Sequence, residues 1–288
     1  MIPTIQAGAL SLVVDLRTNA VSIDGRGVVL GSKGLPGWTG GGVEVRRAKT
    51  ERLWGHGDFT ESGTRGARLV SIEGFAWDST RAGAAALTDE LSATLADGTP
   101  GLLTVIDPDL GTRTAVCVLT GTPDVQWDGN LDLTFGIDIE CPDPRKYGAT
   151  VAASTGVATA GGALEYPLDD PLDYGAGGNP GTLTLANVGT ADTSVKHTLT
   201  GVAPSGFTIT HRQSGSRLIY SAPLIAGQSL VLDSDDGAVM LDGYANRSTS
   251  LTRREWVRLN GGESGTWLLE SVGSTGLQLT TEVRPAWW

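Results

Sequence analysis

Hydrophobic and polar positions alternate with a period of two through much of the first half of the chain. In the longest run, 131–141, Leu131, Leu133, Phe135, Ile137 and Ile139 fall on one face and Asp132, Asp138 and Glu140 on the other. That period marks a half-buried strand, and Pro142 and Pro144 end it because proline donates no ladder hydrogen bond. Val70 and Ile72 against Leu69, Ser71 and Glu73 predict another strand over 68–74. Shorter runs at 10–16, 21–25, 28–30, 43–49, 102–106 and 112–119 predict six more, with turn pairs at Thr18-Asn19 and Asp24-Gly25. One segment changes period. Ala84, Leu87, Leu91 and Leu95 recur every three or four residues, which predicts an amphipathic helix over 79–95, capped by Ser79 at its start and Gly98 at its end.

Two stretches break the pattern. Residues 31–42, GSKGLPGWTGGG, are half glycine and predict a long flexible loop. Trp38 in its middle either docks onto a neighbouring subunit or folds back onto its own domain. With Trp38, the candidate subunit-contact residues are Gly40 and Gly41 of the loop and Arg46 and Arg47 of the strand after it. Residues 148–162 are small and nearly uncharged, and read as a linker or a loosely held strand. Beyond them no helix is predicted. Nine short apolar runs between 183 and 283, separated by turns with Gly, Asn or Asp, predict an antiparallel sandwich or jelly roll. The chain is thus read as mainly β: a sandwich or split barrel with one helix over 1–148, a linker over 149–165, and a second β-sandwich over 166–288.

Composition narrows the function classes. The 288 residues carry a net charge of −11, shared almost evenly between the halves, which argues against nonspecific binding of nucleic acid. No apolar run is long enough to span a membrane, and the N-terminus does not read as a signal peptide. Cys117 and Cys141 are too few for a disulfide scaffold and far from any histidine, so they read as buried reduced thiols. Candidate chemistry is thin. Asp233-Ser-Asp-Asp-Gly237 imitates the start of a calcium loop without its remaining ligands. His56 lies two residues from Asp58 but no nucleophile is marked. Asp107, Asp109, Asp169, Asp170 and Asp173 read as solubilising turn residues, and Asn246-Arg-Ser248 as an unused glycosylation pattern. No catalytic, cofactor or metal site is assigned.

The order of these segments resembles the siphophage distal tail proteins. Ile72-Glu-Gly74 precedes the single helix, two strands follow, and the long alternating strand closes on Cys141-Pro-Asp-Pro-Arg-Lys-Tyr-Gly148. Asp143, Pro144, Tyr147 and Gly148 carry the family-like ending. In the second half, 181–189, 227–233 and Trp256-Val-Arg-Leu-Asn-Gly-Gly262 resemble the family's galectin-like domain, with Asn260 and Gly261 in place of its usual residues. The resemblance implies a non-enzymatic hexameric ring in the virion's tail tip, assembled in the host cytoplasm. It would contact the tail tube protein, the hub or tail-associated protein and the tape measure protein, and let DNA pass. The alternatives are a carbohydrate-binding module, for which Tyr220, Tyr244, Trp256 and Trp267 would have to form an exposed row, and a polysaccharide-degrading enzyme.

Overall fold

The computed structural model describes residues 11–16, 20–23, 26–60, 62–159 and 178–288. The chain forms two compact units, 3–148 and 149–287, each with its own apolar core.

In the N-terminal unit the alternating segments pair into a closed barrel. Ser11–Asp15, Ala20–Ile23, Arg26–Leu30 and Thr64–Trp77 follow one another as antiparallel neighbours. Thr64–Trp77 then pairs with Asp132–Cys141 over ten residues, from Trp77 opposite Asp132 to Arg68 opposite Cys141. The circuit continues through Gly111–Leu119 to Gly101–Asp107, which returns to Ser11–Asp15 in parallel. Closure removes the free edges that an open sheet would expose. Val70, Ile72, Leu133, Phe135, Ile137 and Ile139 point inward, as the period of two requires. The helix, Arg81–Ala93, adds Leu87 and Leu91 to the same core, and Ala84 is buried beside them.

Helix and loop differ from expectation in detail. The N-cap is Thr80, whose Oγ1 accepts the Gly83 N–H at 3.0 Å, not Ser79. Asp78 accepts from Thr80, so the acid beside the cap holds the capping residue in place. Thr80→Ala is expected to lower the thermal midpoint by the equivalent of about 1 kcal/mol. At the other end the first left-handed residue is Leu95, with φ 55°, three residues before Gly98. Its buried side chain compensates for a backbone conformation that an L-residue adopts at a cost of ~1–2 kcal/mol. The turns at Thr18-Asn19 and Asp24-Gly25 lie outside the described residues, as does Leu10.

The C-terminal unit is two antiparallel sheets. One runs Val151–Gly156, Thr275–Val283, Val195–Val202, Ser229–Asp233, Val239–Leu241, Ala245–Asn246; the other Thr182–Ala186, Ser264–Glu270, Phe207–His211, Arg217–Tyr220, Leu251–Arg254. Of the two readings of the 148–162 stretch, linker or loosely held strand, its first part takes the second: Val151–Gly156 is an edge strand paired with Thr275–Val283. Its backbone bonds hold it where Ala, Ser and Gly give no hydrophobic alternation to read. Residues 160–165 lie outside the described residues. Trp256-Val-Arg-Leu259, expected as a strand, is irregular and makes only an isolated bridge from Leu259 to Thr193.

Candidate functional site

The glycine-rich loop is pinned rather than free. The Leu69 N–H donates to the Gly42 carbonyl at 2.7 Å and the Ser71 N–H to Pro36 at 3.1 Å, so the loop lies along strand Thr64–Trp77. Gly37 is required there: its φ is +84°, and a Cβ would stand 1.9 Å from the Leu69 oxygen. Two buried cations close the arrangement. Arg68 donates through Nη1 to the Gly37 carbonyl at 2.7 Å and through Nε to the Pro144 carbonyl at 2.9 Å. Lys146 Nζ donates to the Trp38 carbonyl at 3.0 Å, and burial, then Arg68 and Arg113, push its pKa down to about 8. Trp38 is only 4% exposed and belongs to the barrel's core. Of its two readings the structure takes the inward one, because the carbonyl bonds on either side anchor the loop and the indole fills the space beneath it.

The same cations bring the loop to the family-like stretch. Asp143 accepts the Arg145 guanidinium at 2.9 Å on each carboxylate oxygen, the Arg145 N–H at 3.0 Å and the Tyr147 hydroxyl at 2.6 Å. Burial pushes its carboxyl up, but the bonds from Arg145 and Tyr147 outweigh that and hold it below the usual range. Tyr147 pairs with Thr114 of the barrel, Pro144 supplies the carbonyl for Arg68, and Gly148 is half-buried. The motif is thus a structural clasp. Arg68→Met should cost about 2–3 kcal/mol, since each lost bond strands a part-buried carbonyl, and should speed hydrogen exchange at the Leu69 and Ser71 amides, which donate to the loop, in a mass-resolved experiment.

Gly40, Gly41, Arg46 and Arg47 are exposed. They sit at the root of a projecting arm: Val43–Arg46 pairs with the first residues of Thr64–Trp77, and a small hairpin, Lys49–Glu51 with Asp58–Thr60, follows. At its tip Leu53 and Trp54 are each 93% exposed. Arg52 stacks on Phe59, 4.9 Å from the ring centroid. His56 and Asp58 stand in this exposed hairpin with no nucleophile beside them among the described residues. The sequence signal for the tip is a Leu-Trp pair at a turn rich in glycine, where no core can receive it.

The barrel's outer face is the second exposed surface. Leu69, Phe75 and Trp77 project from it among Glu73, Asp132, Asp138, Glu140 and Asp124. Beside Phe75, between Gly31 and Gly136, it is hollowed into an open trough of about 350 Å³. The one cation there, Lys33, is held by Glu73 at 2.9 Å.

In the C-terminal unit the aromatic residues do not form a surface row. Tyr220 and Trp267 are core residues, Trp256 packs against the core's edge, and Tyr244 alone of the four is exposed. His197 and His211 flank Trp267 at ring separations of 5.6 and 5.4 Å. The Asp233 stretch is a hairpin turn: Asp233 accepts the Asp235 N–H, and Asp235 pairs with Arg258 at 3.2 Å. Among the described residues no cluster of His, Cys, Asp or Glu could hold a metal. Asp169, Asp170 and Asp173 lie outside them. Cys117 and Cys141 are buried free thiols, pushed up by burial to about 11 and about 12.

A β-barrel module carrying one helix is followed along the chain by a two-sheet β-sandwich module, and that order of folds has a counterpart among solved phage structures. The solved structure of the Dit protein of phage SPP1, described as a paradigm of the hub adsorption apparatus of phages infecting Gram-positive bacteria, superposes with a TM-score of 0.67. The two are 12% identical, and the match covers 97% of this chain and 99% of that one. The phage P2 baseplate in its activated conformation with calcium is more distant, at TM-score 0.45 and 10% identity over 85% of this chain and 91% of that one. No protein-family profile matches the sequence, and no curated protein is significantly similar to it.

Proposed function

We propose that this chain is a structural component of a phage tail tip, a distal tail protein that forms a six-membered ring between the tail tube and the baseplate hub. The observation that carries the reading is the full-length structural likeness to SPP1 Dit. In it the barrel module makes the ring through its exposed outer face and arm, with Gly40, Gly41, Arg46 and Arg47 near the contact and Trp38 inside the subunit. Its partners are other copies of itself, the tail tube protein, the hub or tail-associated protein, and the tape measure protein during assembly in the host cytoplasm. It catalyses nothing and reads no nucleic-acid sequence. The charge suits a ring that DNA must cross: six copies at −11 each carry −66, and a negative wall repels phosphates instead of retaining them.

Native mass spectrometry of the full chain, alone and with tail tube protein as a template, tests this. Six copies per particle in either sample supports the ring. A monomer in both, at concentrations above the micromolar range, overturns it.

A further inference from the structure

The exposed arm and the trough on the outer face are complementary, and the geometry points to a contact in which the arm of one copy seats Trp54 in the trough of the next. This rests on the ring reading and names the surfaces that would join its members.

Three observations lead there. The first is the arm's chemistry. Four of the thirteen basic residues in the first 150, Arg46, Arg47, Lys49 and Arg52, lie within 46–52, and the tip ends in an indole with almost no contact to its own chain. The second is the trough's chemistry. It is lined by the exposed ring of Phe75, by Asp124 and Gly136, and by Glu73, whose charge Lys33 already meets at 2.9 Å. A Cβ built on Gly136 meets nothing nearer than the Asp124 Cβ at 4.0 Å, so the absent side chain leaves that space open. An indole against the Phe75 ring, with a guanidinium reaching Asp124, which among the described residues meets only the Gln126 amide, combines apolar burial with charge complementarity.

The third observation is placement. Arm and trough belong to opposite ends of one strand. Val45 and Arg46 pair with Arg65 and Thr64, whereas the trough is built around Glu73 and Phe75. Eight residues of extended chain separate Arg65 from Glu73, about 26 Å at ~3.3 Å per residue. Trp54 is 93% exposed and so does not reach the trough of its own chain. In a ring of identical subunits the receiving surface is then that of a second copy. Because donor and acceptor patches differ, the contact is head-to-tail, the kind that generates a ring when the rotation per copy closes.

The test uses the full chain. Trp54→Cys chains are mixed with Gly136→Cys chains and oxidised; both native thiols are buried. A disulfide between the two chains should form at least tenfold faster than when Leu110→Cys, exposed elsewhere on the barrel, replaces Gly136→Cys. Equal rates overturn the inference. In parallel, Trp54→Ala and Gly136→Leu should each weaken self-association at least tenfold in sedimentation velocity, one by removing the plug and the other by filling the trough. If six-membered rings form with both variants and the cross-link is unselective, the ring stands and this contact is wrong. If the cross-link is selective while the unmodified chain makes no six-membered ring even on the tail tube, the contact stands and the ring reading is wrong.

Discussion

Trp267→Ala is expected to destabilise the C-terminal unit strongly while leaving the barrel intact. Trp267 is 1% exposed at the centre of the sandwich. It stands on Ser264–Glu270 between two histidine rings, and Gly265 makes room for it: a Cβ there would lie 2.5 Å from the indole. Truncating a fully buried tryptophan costs about 3–5 kcal/mol in lost burial and residual cavity, a large share of the 5–15 kcal/mol that holds a typical domain. The two cores have no residue in common. Hydrogen exchange read by mass spectrometry should therefore accelerate by roughly a hundredfold or more across 182–283 and remain unchanged across 64–147. Equal acceleration in both ranges would show one cooperative unit and remove the basis for treating ring and sandwich as separate modules. If the barrel alone makes the ring, the variant should still assemble as six copies.

Much of this architecture was legible in the sequence because its strands are half-buried. Alternation over 131–141 fixes which residues face the core, and the structure places Leu133, Phe135, Ile137 and Ile139 there. The helix was legible for the same reason, through a period of 3.6 instead of 2. What was not legible was local. Val151–Gly156 has neither apolar alternation nor bulky residues, and its place is decided by pairing with a strand more than 120 residues away. The 31–42 loop looked free because glycine content reports backbone entropy and says nothing about carbonyl partners. Arg68 and Lys146, which supply those partners, are remote in the chain and indistinguishable by composition from surface cations.

The candidate site was less legible than the fold. Trp38 and Trp54 look alike in the sequence, each a tryptophan among glycines. One is core and the other fully exposed, and what separates them is the barrel strand against which the first loop lies and which the second hairpin leaves behind. Arg46 and Arg47 were singled out for charge alone, and the arm gives that charge a direction. The Asp143–Gly148 stretch was recognised as family-like without a physical role. Its role emerges only when Arg68, 76 residues earlier, is seen to donate to Pro144.

Mild acid should destabilise the sandwich through its histidines. His197 lies on Val195–Val202, opposite Thr281, whose hydroxyl is 2.9 Å from Nδ1. Burial and then the neighbouring His211 push its pKa down to about 3. Burial also lowers His211, against an opposing pull from Glu263. In the unfolded chain an imidazole takes its proton near pH 6.5. Between about 6.5 and 3 the unfolded state thus binds more protons than the folded one, and stability falls as pH falls, by up to about 1.4 kcal/mol per pH unit for His197. Going from pH 7 to 4.5 should cost about 3 kcal/mol, read as a lower denaturant midpoint for the C-terminal unit. Unfolded-chain carboxylates take protons near pH 4, inside this window, so the comparison with a variant lacking the imidazole, and not the slope alone, isolates His197. His197→Leu is expected to flatten most of it, whatever its effect on absolute stability. An unchanged slope in that variant would mean that the folded sandwich accommodates the imidazolium, either by letting water reach the ring or by moving His197 off Trp267.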